Sequence, residues 1–415
     1  MDLTIEQNCP SCGASIVLLE DDRLIRCEYC DVNNYRLESG AARYLLPSKL
    51  PDHIPPLQLF YLPYFRFKGT IFFVRQGEVG HKIVDATWRG IDEEKIPVSL
   101  GLRPQVMKLT PVVAATEGRF VQNTIPTKSA FSHAAMMTDL LSVKNDKDVY
   151  HRAFIGETLS QIYQPCYLHE EIVYDAVINT PLCHGQMIER HMEKACSCKI
   201  CWEPQFISTI CPECSSPLSG ERDSLVLHCR NCQSLWQEDA KKFQPLSWHV
   251  VESDDSSAQY LPFWKITFST GGRVLKSFGD YLRYTNQPVV VTERFDLLPL
   301  SFWIPAFKVN PKAFLQAAAQ LTVSQWRIPP GSSRHIVNDH PVTLGQKEAV
   351  QALKSVLAFT TLNKRNVLPY LPQTTIINPR CELTYLPFVK HPHDFIQEHT
   401  STTILAAALR FGRKL

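Results

Sequence analysis

The chain has 415 residues, 44% hydrophobic and 20% charged, with 43 lysines and arginines against 41 acids. That composition excludes a disordered or fibrous chain, and the length calls for two to four compact cores. A net charge of only +2 excludes strong general attraction to nucleic acid or anionic membrane.

Residues Met1 to Glu6 show no basic segment followed by an apolar core. No apolar run reaches the roughly 18 residues of a spanning helix. The longest candidate, Thr403 to Leu409, ends at Arg410. The expectation is therefore a soluble cytoplasmic protein without a transmembrane segment. In that setting fourteen cysteines, mostly in C-x-x-C pairs, favour metal over disulfides.

Residues 1–40 contain Cys9-x2-Cys12 and Cys27-x2-Cys30, which enclose fourteen residues. A C-x-x-C knuckle holds two thiolates about 2.3 Å from one ion, and a second knuckle completes the tetrahedron. Between them, Ser15–Leu19 reads as a strand, Glu20-Asp21-Asp22-Arg23 as a polar turn and Leu24–Arg26 as the return strand.

Residues 41–182 read as a mixed α+β body. Tyr61-Leu62-Pro63-Tyr64-Phe65-Arg66-Phe67 alternates like a half-buried strand, and Thr70–Val74 reads as a second strand after a Lys68-Gly69 turn. Ser132–Leu141 reads as a helix. His169-Glu170-Glu171 reads as an exposed helix start.

Residues 183–243 begin with a Cys/His-rich linker: Cys183-His184, His191, Cys196, Cys198 and Cys201. Cys183, His191, Cys196, Cys198 and Cys201 are candidate ligands of a third metal site; reduced thiols in a linker are the alternative. Cys211-x2-Cys214 and Cys229-x2-Cys232 follow, again enclosing fourteen residues, at an offset of 202 from the first set. Pairing Cys198-x2-Cys201 with Cys211-x2-Cys214 would strand Cys229 and Cys232, so that arrangement is rejected. Cys9-Pro10-Ser11-Cys12-Gly13 and Cys211-Pro212-Glu213-Cys214 resemble zinc-ribbon knuckles of the rubredoxin-like fold group. The resemblance covers about sixty residues and implies a fold and a structural Zn2+ at each set, with iron as the competing metal.

Residues 244–415 read as a second α+β body. Tyr260-Leu261-Pro262-Phe263-Trp264-Lys265-Ile266 repeats the Tyr61 segment at an offset of 199. Ile96–Ser99 aligns with Leu298–Ser301, Val106–Pro111 with Ala306–Pro311, and Ile162–Pro165 with Tyr385–Phe388. Lys312–Trp326 reads as a helix and Ser132–Leu141 as its counterpart. Thr343-Leu344-Gly345-Gln346 reads as a capping box before a helix bearing Val350, Leu353, Val356 and Leu357. His391-Pro392-His393-Asp394 reads as a solvated loop, and Cys166 and Cys381 as inert thiols. The expected architecture is two zinc ribbons, each followed by an α+β body, related by internal duplication about a pseudo-twofold axis.

No P-loop, dinucleotide fingerprint, H-E-x-x-H or nucleophile elbow occurs, so the sequence carries no catalytic signature. A closed four-cysteine site also lacks the open position that catalytic zinc uses. Cys9–Glu38 and Cys211–Asp239 each carry a net charge of −3, opposite to a phosphate-binding face. Arg410–Lys414 and Lys241-Lys242 are short basic runs. A non-catalytic scaffold or assembly factor with protein partners is therefore the first expectation. A nucleic-acid-binding zinc-ribbon protein comes second, and an enzyme with a site in the bodies third.

Overall fold

The computed structural model describes residues 3–37, 40–113, 115–139, 149–197, 205–271, 275–332 and 338–412. The chain forms two compact units, neither of them continuous in sequence. The first comprises Met1–Lys68, Val84–Leu141 and Glu157–Thr209; the second comprises Gly69–Ile83, Ser142–Gly156 and Ile210–Leu415. Both combine mixed sheets with helices, which is the α+β class. No helix among the described residues is long and apolar enough to cross a membrane.

The first unit opens with four short strands, β1 (Thr4–Asn8), β2 (Ser15–Leu19), β3 (Leu24–Arg26) and β4 (Asn33–Arg36), then β5 (Ala42–Leu45). The long strands β6 (Phe60–Arg75) and β7 (Glu78–Arg89) follow. Next come α1 (Arg103–Val106), β8 (Lys108–Pro111), β9 (Arg119–Phe120) and α2 (Ser129–Asp139). Then come β10 (Val149–His169), β11 (Ile172–Asp175), β12 (Thr180–His184), α3 (Glu189–Glu193), β13 (Cys196–Ser197) and β14 (Phe206–Ser208). The ends of β6, β7 and β10 belong to the second unit. Lys68-Gly69 therefore lies inside an unbroken strand and makes no turn. Thr70–Val74 extends the Tyr61 segment, because β-branched and aromatic residues on both sides favour continued pairing. His169-Glu170-Glu171 is likewise a hairpin turn, with Glu170 and Glu171 at φ 47° and 64°, rather than a helix start.

In the second unit, β15 (Val226–Cys229), β16 (Ser234–Asp239) and β17 (Lys242–Pro245) form the ribbon sheet. The body runs through β18 (Trp248–Val250), β19 (Gln259–Gly271), α4 (Phe278–Thr285), α5 (Glu293–Leu297) and β20 (Phe302–Pro305). It continues with α6 (Pro311–Val323), α7 (Gln346–Thr360), α8 (Lys364–Val367), β21 (Thr375–Lys390), β22 (Asp394–Gln397), β23 (Thr403–Leu405) and α9 (Ala406–Gly412). Asn310 caps α6 by accepting from the Lys312 N–H. The α7 cap falls at Gly345, whose N–H donates to Glu348, two residues past the expected Thr343. Leu353, Val356 and Leu357 are buried on α7 as expected, with Val350 at the edge of the core.

The bodies of the two units share a pattern of backbone bonds. Leu46 N–H donates to Tyr163 C=O (3.1 Å) where Val251 N–H donates to Tyr385 C=O (3.0 Å). Gly90 N–H donates to Pro63 C=O, and Ala306 N–H to Pro262 C=O. Val121 N–H donates to Tyr61 C=O, and His340 N–H to Tyr260 C=O. Both Thr124 and Ile125 donate to Gly90 C=O; both Thr343 and Leu344 donate to Ala306 C=O. Asn179 N–H closes on Asp175 C=O and Ser401 N–H on Gln397 C=O, with the two donors at φ 53° and 57°.

This pattern upholds the alignment of the Tyr61 and Tyr260 segments and overturns others. Tyr163, not Ile162, takes the place of Tyr385, one residue away from the expected match. Gly90, not Val106, takes the place of Ala306. Val106–Pro111 ends α1 and forms β8, whereas Ala306–Pro311 leads into a helix. The helix that follows Ile125 is α2, which therefore matches α7 after Leu344 rather than α6. Proline and aliphatic residues recur at strand ends throughout the chain, so short matches of that composition align without sharing a position.

Candidate metal centres

Among the described residues, two groups of side chains have metal-ligand geometry: Cys9, Cys12, Cys27 and Cys30, and Cys211, Cys214, Cys229 and Cys232. Within each group all four sulfurs lie within 4.8 Å of one another. Cys9 Sγ is 3.9 Å from Cys30 Sγ and Cys12 Sγ 3.7 Å from Cys27 Sγ. The second set gives 3.6 Å for Cys211–Cys232 and 3.4 Å for Cys214–Cys229. A tetrahedron with Zn–S near 2.3 Å places its sulfurs roughly 3.8 Å apart. The donor sets therefore fit one zinc each. All these cysteines are unbridged.

The knuckles owe their shape to short-range backbone bonds. Gly13, Asp31, Ser215 and Gln233, each following the second cysteine of a knuckle, donate N–H to the first cysteine's carbonyl at 2.9 Å. All four adopt φ between 59° and 78°, the left-handed region, which turns the chain back over the site. The first cysteine of every knuckle (Cys9, Cys27, Cys211, Cys229) is buried, while the second is partly or fully exposed. Each sulfur set thus has one side rooted in apolar packing and one at the surface.

Four sulfurs this close cannot all be anionic unless a cation joins them. The thiols are accordingly driven apart. Backbone N–H groups of Cys30 and Tyr29 lower Cys27 to about 7. Side chains of Asn231 and Ser216 lower Cys214 to about 5. Cys12 is pushed up to about 12: the Ala14 N–H pulls it down, but burial and the neighbouring sulfurs outweigh that pull. Cys232 is pushed up to about 12 in the same way, against the Ser234 hydroxyl.

The two ribbons differ in wiring. In the second, Ser219 and His228 exchange backbone bonds (2.9 and 2.8 Å) across the segment between the knuckles, forming a hairpin there. In the first, β2 pairs with β1 and β3 with β4, so each knuckle lies in the turn of its own hairpin. The expected hairpin of β2 with β3 does not form. The turn between them is not solvated either: Glu20 and Asp22 are 5% and 3% exposed. Glu20 meets the buried Arg66 guanidinium, which Asp85 also holds at 2.7 and 2.9 Å, and Asp21 lies 3.9 Å from Lys68 Nζ. Asp22 caps the Leu19 N–H at 2.8 Å. Much of the first ribbon's formal −3 is therefore neutralised inside the unit.

The candidate third site is only partly described. Cys198, Cys201 and the side chain of Cys196 lie outside the described residues. Cys183 sits on β12, raised by burial; His191 is buried on α3, its pKa lowered by burial, with Nε2 unpartnered. Cys166 is fully buried and Cys381 half-buried, both raised by burial, which suits inert thiols. His391, Pro392 and His393 are exposed in the β21–β22 turn.

No family model, curated protein or solved structure matches this chain. Its functional reading therefore rests on its own residues.

Proposed function

We propose that the chain is a duplicated zinc protein, a non-catalytic cytoplasmic scaffold or assembly factor that binds other proteins. The observation that carries the reading is that each sulfur set is closed by the chain's own cysteines and built into a folded unit. β1 adds to the first body in parallel with β8, and Leu3 and Ile5 enter its core. Val226 and Leu235 of the second ribbon belong to the second body's core. Residues in these places would hold zinc, which supplies cross-linking of the chain and leaves no coordination position for a substrate. The recurrent backbone bonds support duplication, and two like units on one chain suit a protein that holds partners.

Elemental analysis of the full chain is expected to find two zinc ions in the ribbons, and chelation to lower the melting temperature of both units. Isolation from the native source should retain a protein partner. Iron with a thiolate charge-transfer band would overturn the metal, and steeply salt-dependent DNA or RNA binding at about 0.15 M salt would overturn the ranking of partners. A strictly monomeric chain with no retained partner would sink the scaffold.

A further inference from the structure

Alignment of the units by their shared backbone bonds places Tyr44 against His249, Arg66 against Lys265 and Ser160 against Glu382. In the first unit these positions are buried: Tyr44 is 1% exposed, and Arg66 and Ser160 0%. The ribbon covers Tyr44 and Arg66, with Leu3 and Ile5 packed in the same core as Tyr44 and with Glu20 on Arg66. In the second unit the matching side chains stay open, His249 at 40% and Lys265 and Glu382 at 37%.

The cause is legible in the second ribbon. Counting from the cysteines, Arg222 stands where the first ribbon has Glu20. An arginine turn cannot close over a lysine, since like charges repel and burying both unpaired is costly. The second ribbon's turn instead bonds elsewhere, through Leu225 N–H to Val342 C=O. The open face therefore keeps Lys265, 3.6 Å from Glu382, with Glu382 also 2.5 Å from His249 Nδ1. Register places exposed Arg380 beside Thr267 on the same face, and Trp303 beside Lys265, whose Nζ is 5.9 Å from the indole centroid. Among the described residues, the register and ion pairs of this face bring together Lys265, Arg380, His249 and the carboxylate of Glu382.

We propose that this face of the second unit, centred on Lys265, His249 and Arg380, docks an acidic turn of a protein partner. That turn would do for Lys265 what Glu20 does for Arg66. The proposal rests on the scaffold reading and names the chemistry of its partner.

The probe is a cyclic peptide with this chain's own first-ribbon turn, Leu18–Leu24, and a control carrying Gln and Asn at its three acids. Fluorescence anisotropy on the zinc-loaded full chain should show binding that weakens as salt rises. Lys265→Glu and Arg380→Glu should each weaken it at least tenfold. Arg380 is exposed, so its variant should keep the wild-type melting temperature, and Lys265→Gln, which adds no carboxylate beside Glu382, should weaken binding with the fold retained. Absent binding, equal binding of the control peptide, or binding that both variants retain would overturn the proposal. The same variants also separate it from the reading beneath it. A native partner that stays on wild type and on Lys265→Glu alike would sink this docking face alone. A wild-type chain that retains no partner, yet binds the peptide through Lys265, would sink the scaffold alone.

Discussion

The two ribbons have the same cysteine spacing, knuckle bonds and sulfur geometry, yet they are attached by different forces. The first keeps a small core of its own, with Cys9, Ile16, Leu18, Ile25 and Cys27 buried together. It is tied down by strand pairing and by a buried ion pair with its own body. The second is joined to its body by the Leu225 N–H bond to Val342 C=O and lends Val226 and Leu235 to the body's main core. The same four-cysteine geometry thus tolerates opposite solutions for the turn between knuckles, because a tetrahedral donor set constrains the four cysteines and little else.

The largest test of this contrast is to remove one metal at a time. Cys27→Ser and Cys229→Ser should each lower the ribbon zinc content from two to one per chain, since structural zinc supplies on the order of 10 kcal/mol of binding free energy. Hydrogen exchange should show the first variant exposing β1–β4 and β14, and the second loosening the core around Val226 and Leu235. Identical exchange patterns would erase the distinction. Next in size is Glu20→Ala, which removes one of the two carboxylates on buried Arg66 and should cost the first unit about 1.5–3 kcal/mol in denaturant unfolding. Arg222→Ala at the matching exposed position should change stability by less than about 0.5 kcal/mol.

A smaller effect separates the sites by pH. Zinc must displace thiol protons, so a lower thiol pKa means less competition at a given pH. Cys214 at about 5 and a lowered Cys211 contrast with Cys27 at about 7 and a raised Cys30. On acidification the first ribbon should release zinc before the second, as read by a chromogenic chelator with each single-site variant as reference. The smallest effects concern the left-handed residues. Ser215→Gly and Gln233→Gly should stabilise their knuckles by about 0.5–1 kcal/mol, while Gly13→Ala should cost about 1–2 kcal/mol. No atom lies within 4 Å of a β-carbon built on Gly13, so that cost is conformational.

The metal sites were legible because ligation imposes fixed spacing on a short stretch, and eight cysteines in two equal patterns allow few alternatives. The strand at Tyr61 and its partner at Tyr260 were legible as strands from their aromatic and aliphatic residues, but the half-buried alternation was not borne out: Tyr61 to Phe67 are buried throughout, Arg66 through its carboxylate partners. Pairing was not. Nothing local tells β2 to pair with β1 rather than β3; the choice depends on Glu20 reaching Arg66, 46 positions away. The same long-range ion pair turned acids counted as a surface field into buried partners. The match of α2 with α7 needed backbone bonds to Gly90 and Ala306, which no side-chain pattern announces.

Arg36 of β4 pairs with Phe206 of β14, about 170 positions later, and Leu37 N–H donates to Gln205 C=O. During synthesis at about 5–20 residues per second, the first ribbon's cysteines emerge roughly 10–30 seconds before its third strand. For that interval the edge of β4 is unpaired and open to the wrong strand. Early metal capture would hold the half-built ribbon in register until β14 arrives. Slowing translation between residues 40 and 205 in zinc-poor cells is therefore expected to raise aggregation of this chain, and zinc supply to reverse it.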